Sequence, residues 1–245
     1  MDQMDHQMDQ MAGMAEMLGG GGTYIGHVLP GLGLMLIAAI WLIQDFRGTD
    51  GAGANASDRP IQSGLLLPWF KIIVSAMGIW MEIPGKGWYP MDVMMGWQHA
   101  TVHSAIFVSG LTDLLHLKGR LSARATYIAW GGAMLVGAAI FLGHGNHDGM
   151  STMAHLLLGG LFFSSALLAL LEGFVMPGLR SLRQAAVMAT GGWLAVIGWI
   201  IFASGWDPMS MISTSWVWTM FCWNGLAVAL VYGGVALVKG EGTSA

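Results

Sequence analysis

Long runs of apolar residues, separated by short polar segments, make up most of the chain after residue 24. Each run has roughly the 20 apolar residues that an α-helix needs to cross a membrane. The pattern predicts an all-α, polytopic membrane protein of seven transmembrane helices, with approximate bounds 25–45, 64–81, 91–116, 123–143, 151–175, 185–204 and 213–238. The predicted organisation is an arm at residues 1–22, one transmembrane domain at residues 23–240 and a tail at residues 241–245.

The composition agrees with a membrane protein and excludes other classes. Hydrophobic residues make up 55% of the chain and charged residues only 10%, with a mean hydropathy of +0.60, whereas charged residues are about a quarter of an ordinary soluble domain. The ten basic residues are spread thinly and the net charge is −4, so no basic patch for nucleic acid is expected. Cys222 is the single cysteine, which excludes an internal disulfide. A small core cysteine is favoured at that position over a soft metal ligand.

The distribution of basic residues predicts the orientation, because cytoplasmic loops hold the excess of Lys and Arg. Nine of the ten fall at segments on one predicted side: Arg47, Arg59, Lys71, Lys118, Arg120, Arg124, Arg180, Arg183 and Lys239. Lys86 lies on the other side. The N-terminus is therefore predicted outside and the C-terminus in the cytoplasm, in a membrane that we expect to be a bacterial inner (plasma) membrane.

The N-terminal arm is rich in methionine and carboxylates. Its methionines recur every three or four residues: Met1, Met4, Met8, Met11, Met14 and Met17. His6 and four Asp or Glu residues lie between them, and Gly19–Gly22 is predicted to form a flexible tether. One interpretation is an amphipathic segment that packs on the membrane or on the bundle. The favoured one is copper capture outside the cytoplasm by Met4, His6, Met8 and Met11, since thioethers and imidazole select copper.

Histidines collect at one predicted membrane level. His99 and His103 are four residues apart in the third run, so both rings point the same way. Ionisable groups inside a membrane span are costly and are a functional hypothesis by default. His27, His144 and His155 are expected at the same outer level, and His147 in the adjoining loop.

Other polar residues receive more ordinary interpretations. Glu82 is either a hydrated helix end or a counter-charge for a bound cation. His116 is expected to be a solvated residue at the inner interface, and Asp113, Ser104 and Ser109 to join helices. Among these residues, only Glu82 is added to the candidate metal ligands.

These residues favour a copper site in the outer half of the bundle, fed by the arm, which would serve copper handling, transport or copper-dependent redox chemistry. Zinc is the alternative metal. Three other functions stay open: a metal-dependent membrane enzyme, a bis-histidine haem b electron carrier, and a membrane scaffold without metal. The expected partners are the metal ion and membrane lipid, with a homo-oligomer or a copper-delivering periplasmic protein as further possibilities. No catalytic residue is assigned.

Several motifs resemble those of the transmembrane protein 45 family, a group of seven-span proteins with no established reaction, and the chain is similar to a bacterial-type member. The matching segments are residues 26–31 (GHVLPG), 97–99 (WQH), 108–113 (VSGLTD), 144–155 and 221–223 (FCW). The resemblance implies a seven-helix fold and draws attention to His27, Glu82, His99, His144 and His155. Two features depart from the family pattern: Asn224, where a histidine is frequent, and the added Met-rich arm.

Overall fold

The chain folds into a bundle of helices. A computed structural model describes residues 24–47, 60–61, 64–82, 91–143 and 149–242, including side chains from residue 96 in the third helix and up to residue 238 in the last. Seven α-helices lie in these ranges: α1 Tyr24–Phe46, α2 Leu66–Glu82, α3 Met91–Leu117, α4 Ala123–Gly143, α5 Gly149–Phe174, α6 Arg180–Phe202 and α7 Met211–Gly242. A short 3-10 turn, Pro177–Leu179, joins α5 to α6. The predicted all-α class is confirmed.

The helices have the length and surface of membrane-spanning segments. Within the described ranges, five are long and apolar enough to cross a bilayer: α1, α4, α5, α6 with its preceding turn, and α7. Large apolar side chains also cover the outside of the bundle, among them Leu29, Ile73, Phe163 and Leu230, each at least half exposed. Because such a surface is stable only against hydrocarbon, the protein is an integral membrane protein. The crossing of all seven helices and their orientation stay predictions.

Helix α1 packs mainly against α6, far away in sequence. The contact depends on two glycines, since a Cβ on Gly31 would lie 2.6 Å from the Gly191 carbonyl oxygen, and a Cβ on Gly191 would lie 2.6 Å from that of Gly31. Small residues let membrane helices approach closely and gain dispersion energy over their whole length. The other extensive contacts are α2 with α3 and α4 with α5. Helix α1 has almost no contact with α2, its neighbour in the described sequence.

One half of the bundle, which we call the ion-pair half, buries charged residues among tryptophans. The Lys71 ammonium donates to Asp113 Oδ2 at 2.8 Å and to Ser109 Oγ at 3.2 Å, which confirms Asp113 and Ser109 as contacts between helices. Its Nζ also lies 4.4 Å from the ring centre of Trp130. The bonds satisfy a charge that would otherwise be very costly in an apolar interior.

A second buried pair lies on the other side of Trp41. The Arg183 guanidinium pairs with Glu172 and lies 4.3 Å from the Trp41 ring centre, and Tyr127 donates to the same carboxylate at 3.1 Å. Arg183 is fully buried. Nearer the end of α1, Asp45 pairs with Arg180 at 2.7 Å.

Three sequence interpretations need correction. Lys71 and Arg183 were counted among the loop-flanking charges, but both are inside the bundle, because each finds a carboxylate and an indole ring there. The charge asymmetry that predicts orientation thus depends on the remaining seven residues against Lys86. Cys222 was expected in the core but is exposed, since α7 lies at the edge of the bundle with little of its surface covered. Ser104 bonds to Ala100 of its own helix, at 2.7 Å, rather than to a neighbour.

Candidate metal site

Three imidazoles from three different helices meet in the half of the bundle opposite the ion pairs, which we call the imidazole half. The ring centre of His27 in α1 lies 6.0 Å from that of His99 in α3 and 6.1 Å from that of His155 in α5. His27 is thus a neighbour of both other rings. The three residues are called the imidazole group below.

Close packing of α1 on α6 fixes the position of His27. A Cβ built on Gly198 of α6 would lie only 3.1 Å from the His27 Cβ. A glycine at position 198 therefore leaves room for His27. The ring lies 5.4 Å from the Phe202 ring, and the residue is only 4% exposed. An imidazole in the first turn of α1 is thereby buried near the end of the bundle rather than left at the surface.

The protonation of His155 follows from its hydrogen bond. Nδ1 lies 2.8 Å from the backbone carbonyl oxygen of Ser151 and 3.3 Å from its hydroxyl. A carbonyl oxygen only accepts, so Nδ1 carries a proton and donates it to the Ser151 carbonyl. The same arrangement orients histidines that bind metals. Phe141 stacks on the His155 ring at 5.9 Å and holds it further.

Glu82, at the end of α2, places a carboxylate beside the imidazole group. Its Oε1 lies 3.8 Å from His99 Nδ1, and both side chains are largely buried. The carboxylate would stabilise either an imidazolium or a metal cation at this position. Of the two interpretations of Glu82, a counter-charge fits its 5% exposure better than a hydrated helix end.

His103 takes a different position from His99, although both project from the same face of α3. A Cβ on Gly78 would lie 2.5 Å from His103 Nδ1, so the ring rests directly on the α2 backbone. Contact with α2 therefore separates His103 from the imidazole group. It instead lines the two cavities of this half.

The first cavity is a small chamber of about 60 Å³. His27, His99 and His103 line it at one end, and Ser75 and Lys71 at the other. Apolar side chains, including Phe141 and Leu194, form most of the remaining wall. The chamber has room for a metal ion with one or two waters, and it leads from the imidazole group towards the ion-pair half.

The second cavity is a larger fissure of about 320 Å³ between α1 and α2. In the part of the chain that the structure describes, its wall is apolar except for Glu82 and His103. Leu29, Leu32 and Met77 at its edges are half exposed to the membrane side. Gly26, Pro30, Gly33, Phe70, Val74 and His103 line both the fissure and the chamber. The imidazole group is therefore adjacent to a gap that opens sideways.

The spacing between His27 and each of the other two rings is compatible with a metal shared by that pair. An imidazole bound through nitrogen has its ring centre roughly 3.2 Å from the metal, so two rings on one ion have centres about 5.2 to 6.4 Å apart, from a tetrahedral to a linear angle. The observed 6.0 and 6.1 Å fall in this range. In the described ranges, no set of three or more His, Cys, Asp or Glu side chains has its donor atoms already placed to hold a metal. Binding thus requires rotation of the rings.

The remaining candidate residues either lie outside the described residues or are placed away from the imidazole group. His144, His147, His6, Met4, Met8 and Met11 lie outside the described residues, so their roles stay predictions. His116, near the end of α3, is half-buried and its Nδ1 lies 2.9 Å from the Leu121 carbonyl oxygen. Asn224, which stands where the resembled family often has histidine, donates to the Ala189 carbonyl oxygen at 2.9 Å on α6. It does not line either cavity.

Sequence reasoning missed the aromatic and charged neighbours of this site. Phe141 lies between His99 and His155, but an aromatic residue in an apolar run carries no signal of its own. Lys71 could have been found from the sequence, because it interrupts one apolar run and Asp113 interrupts the next. Two opposite charges inside membrane spans suggest an ion pair. No family model matches the chain.

Proposed function

We propose that the protein is an integral membrane copper protein with a resident metal site at His27, His99 and His155, supported by Glu82. The observation that carries the proposal is the meeting of three imidazoles from three helices next to a buried carboxylate. The proposal includes seven crossings of a bacterial inner membrane with the N-terminus outside. Kinship with the transmembrane protein 45 family is part of the same proposal.

Copper is preferred over zinc because of the arm. Imidazole accepts copper, zinc, iron or nickel, but thioethers are soft ligands that favour Cu(I). A sequence with six methionines and one histidine in its first 17 residues is suited to collecting copper outside the cytoplasm. We infer that Met4, His6, Met8 and Met11 collect the ion, and that His144 and His147 belong to its route into the site.

The residues that close the chamber favour a resident metal site over a transport path. The chamber that begins at the imidazole group reaches Lys71, whose ammonium is surrounded by Asp113, Ser109 and Trp130. The Asp113 carboxylate is already bound to the Lys71 ammonium, and the aromatic wall gives a cation no ligands. This favours copper that is kept or used over copper that passes through.

Among the alternatives, the enzyme gains support and the haem carrier loses it. A chamber of about 60 Å³ is well below the roughly 300 Å³ of a small organic ligand site, so a porphyrin does not fit between the imidazoles as they stand. A metal-dependent membrane enzyme is the second candidate, because the chamber has space for water on the metal and adjoins a fissure open to the membrane.

The decisive experiment measures copper in the purified protein and in single alanine variants of His27, His99 and His155, with His116→Ala as the matched control. Each of the three variants is expected to lose copper affinity by at least about a hundredfold, while the control keeps it. Deletion of residues 1–22 is expected to slow copper loading and to leave the final content unchanged. Wild-type protein without copper after loading, or variants that lose stability but keep their metal, would contradict the proposal.

A further inference from the structure

The fissure between α1 and α2 has the chemistry of a ligand site rather than of an ordinary gap. Its volume of about 320 Å³ reaches the range of small-molecule pockets. Apolar residues line its length, and among the described residues the polar side chains in its wall are those of Glu82 and His103. Such a site suits a molecule with a long apolar body and one polar end.

The His103 side chain is the second feature that indicates a ligand site in the fissure. Its ring rests on Gly78 and faces both cavities. Among the residues that the structure describes, His103 makes no hydrogen bond or ion pair. Imidazole nitrogens in a mainly apolar interior are normally hydrogen-bonded, so their partner is expected to come from the cavity.

The location of the fissure determines how an occupant enters. Leu29 and Leu32 on α1 and Met77 and Met81 on α2 are about half exposed at its edges, on a surface that faces lipid. Because α1 is fixed to α6 and hardly contacts α2, the gap is open to the hydrocarbon phase. A ligand dissolved in the membrane can therefore enter sideways without crossing water.

We propose that the fissure binds a membrane-dissolved lipophilic alcohol or carbonyl compound, whose polar head hydrogen-bonds to His103 next to Glu82. Binding does not depend on a metal at the imidazole group, so this inference goes beyond the proposed function. If copper is present, the polar head beside His103 lies one helical turn of α3 from His99. It is also next to the chamber, because the fissure and the chamber share lining residues. The bound molecule then occupies the position of a substrate of the metal.

Gly33 offers a way to block the fissure without disturbing the fold. It lines both cavities, and a Cβ built on it meets nothing within 4 Å. A leucine side chain at this position projects into the open space. Gly132 in α4 is the matched control, because it is also inside a helix, its Cβ also meets nothing within 4 Å, and it lines neither cavity.

The test uses the full chain in phosphatidylcholine vesicles, free of metal and copper-loaded, with a long-chain alcohol that carries a photoreactive diazirine. Wild-type protein is expected to be labelled along the fissure, and Gly33→Leu to reduce labelling about tenfold while Gly132→Leu leaves it unchanged. His103→Phe keeps a ring on Gly78 but removes the hydrogen bond, which is expected to weaken labelling by the alcohol about tenfold. Labelling by a diazirine alkane of equal length should not change in this variant.

Three results would overturn the proposal: equal labelling of the fissure by alcohol and alkane in wild-type protein, which indicates ordinary lipid; unchanged labelling in Gly33→Leu; or unchanged alcohol labelling in His103→Phe. Labelling in metal-free protein separates this inference from the copper proposal. The fissure can bind the alcohol even if the protein holds no copper. Copper binding can likewise survive a failure of the labelling experiment.

Discussion

Polar side chains are buried in both halves of the bundle, and the two halves satisfy them differently. In the ion-pair half, Lys71 and Arg183 each bind a carboxylate and each contact an indole ring. In the imidazole half, the His27 ring lies about 6 Å from those of His99 and His155, and Glu82 places a carboxylate 3.8 Å from His99.

The difference separates paired charges that hold the fold from imidazoles that lie beside a cavity. Charged side chains that are paired with one another help to specify the fold, and they are already occupied and do not bind a ligand. Imidazoles from three helices next to a cavity are instead the type of side chain that binds a metal. Substitutions in the ion-pair half should therefore change stability, whereas substitutions in the imidazole half should change binding.

The largest effect is expected when one member of the ion-pair half is removed. Lys71→Met leaves the Asp113 carboxylate buried without its cation and should lower the free energy of unfolding by about 3–5 kcal/mol. The double variant Lys71→Met, Asp113→Leu removes both charges and should restore most of that loss. Denaturant unfolding in mixed micelles measures both. A double variant as unstable as the single one would show that the pair stabilises the fold beyond satisfying its own charges.

A somewhat smaller loss of stability is expected where α1 meets α6. Gly191→Ala places a Cβ 2.6 Å from the Gly31 carbonyl oxygen and 2.7 Å from Met35 N. Backbone atoms cannot move aside, so the two helices must separate at a cost of about 1–3 kcal/mol. Gly132→Ala, which meets nothing, is the control and should be neutral. Equal unfolding midpoints for the two variants would contradict the close approach.

A change in the imidazole half should affect binding instead. Glu82→Gln removes the negative charge 3.8 Å from His99 and should weaken copper binding about tenfold, or ~1.4 kcal/mol, with little change in unfolding. Competition with a chelator of known affinity measures the constant. Asp207→Asn, at an exposed carboxylate that accepts from Met209 N, is the control. Loss of stability in Glu82→Gln without weaker copper binding would assign Glu82 to the fold.

The smallest effect is expected at Ser151. Its backbone carbonyl oxygen lies closer to His155 Nδ1 than its hydroxyl does, at 2.8 against 3.3 Å, and Ser151→Ala keeps the carbonyl. Copper affinity should stay within about threefold, well short of the 10- to 100-fold loss typical when an essential outer partner is removed. The same chelator competition applies. A loss near a hundredfold would show that the hydroxyl, and not the backbone, orients the ring.

Much of the fold could be predicted from local pattern. The predicted run at residues 123–143 coincides with α4, and the run at 91–116 differs from α3 by one residue, because apolar length alone determines such helices. Assigning residues to depths in the membrane also placed His27, His99 and His155 at one level. In the structure, the His99 and His155 rings lie about 6 Å from the His27 ring. Their role as ligands stays a prediction.

What the pattern could not supply depends on contacts between distant helices. Nothing near Gly31 in the sequence specifies Gly191 as its partner, and this contact moves α1 away from α2 and leaves the fissure. The spacing of His99 and His103 correctly placed them on one face, but the α2 backbone at Gly78 covers only His103. Lys71 and Arg183 were assigned to the ends of spans because their buried partners come from other helices.

The pairing of α1 with α6 also bears on how the chain is made. Helix α1 is synthesised before the other described helices, yet the helix that covers its glycine face begins only at Arg180. During insertion that face must be held by lipid or by the insertion machinery until most of the protein has left the ribosome. We therefore expect chains that stop before α6 to keep α1 unassembled and to be recognised by membrane quality control. Assembly of His27 with the other two imidazoles would then be one of the last steps in biogenesis.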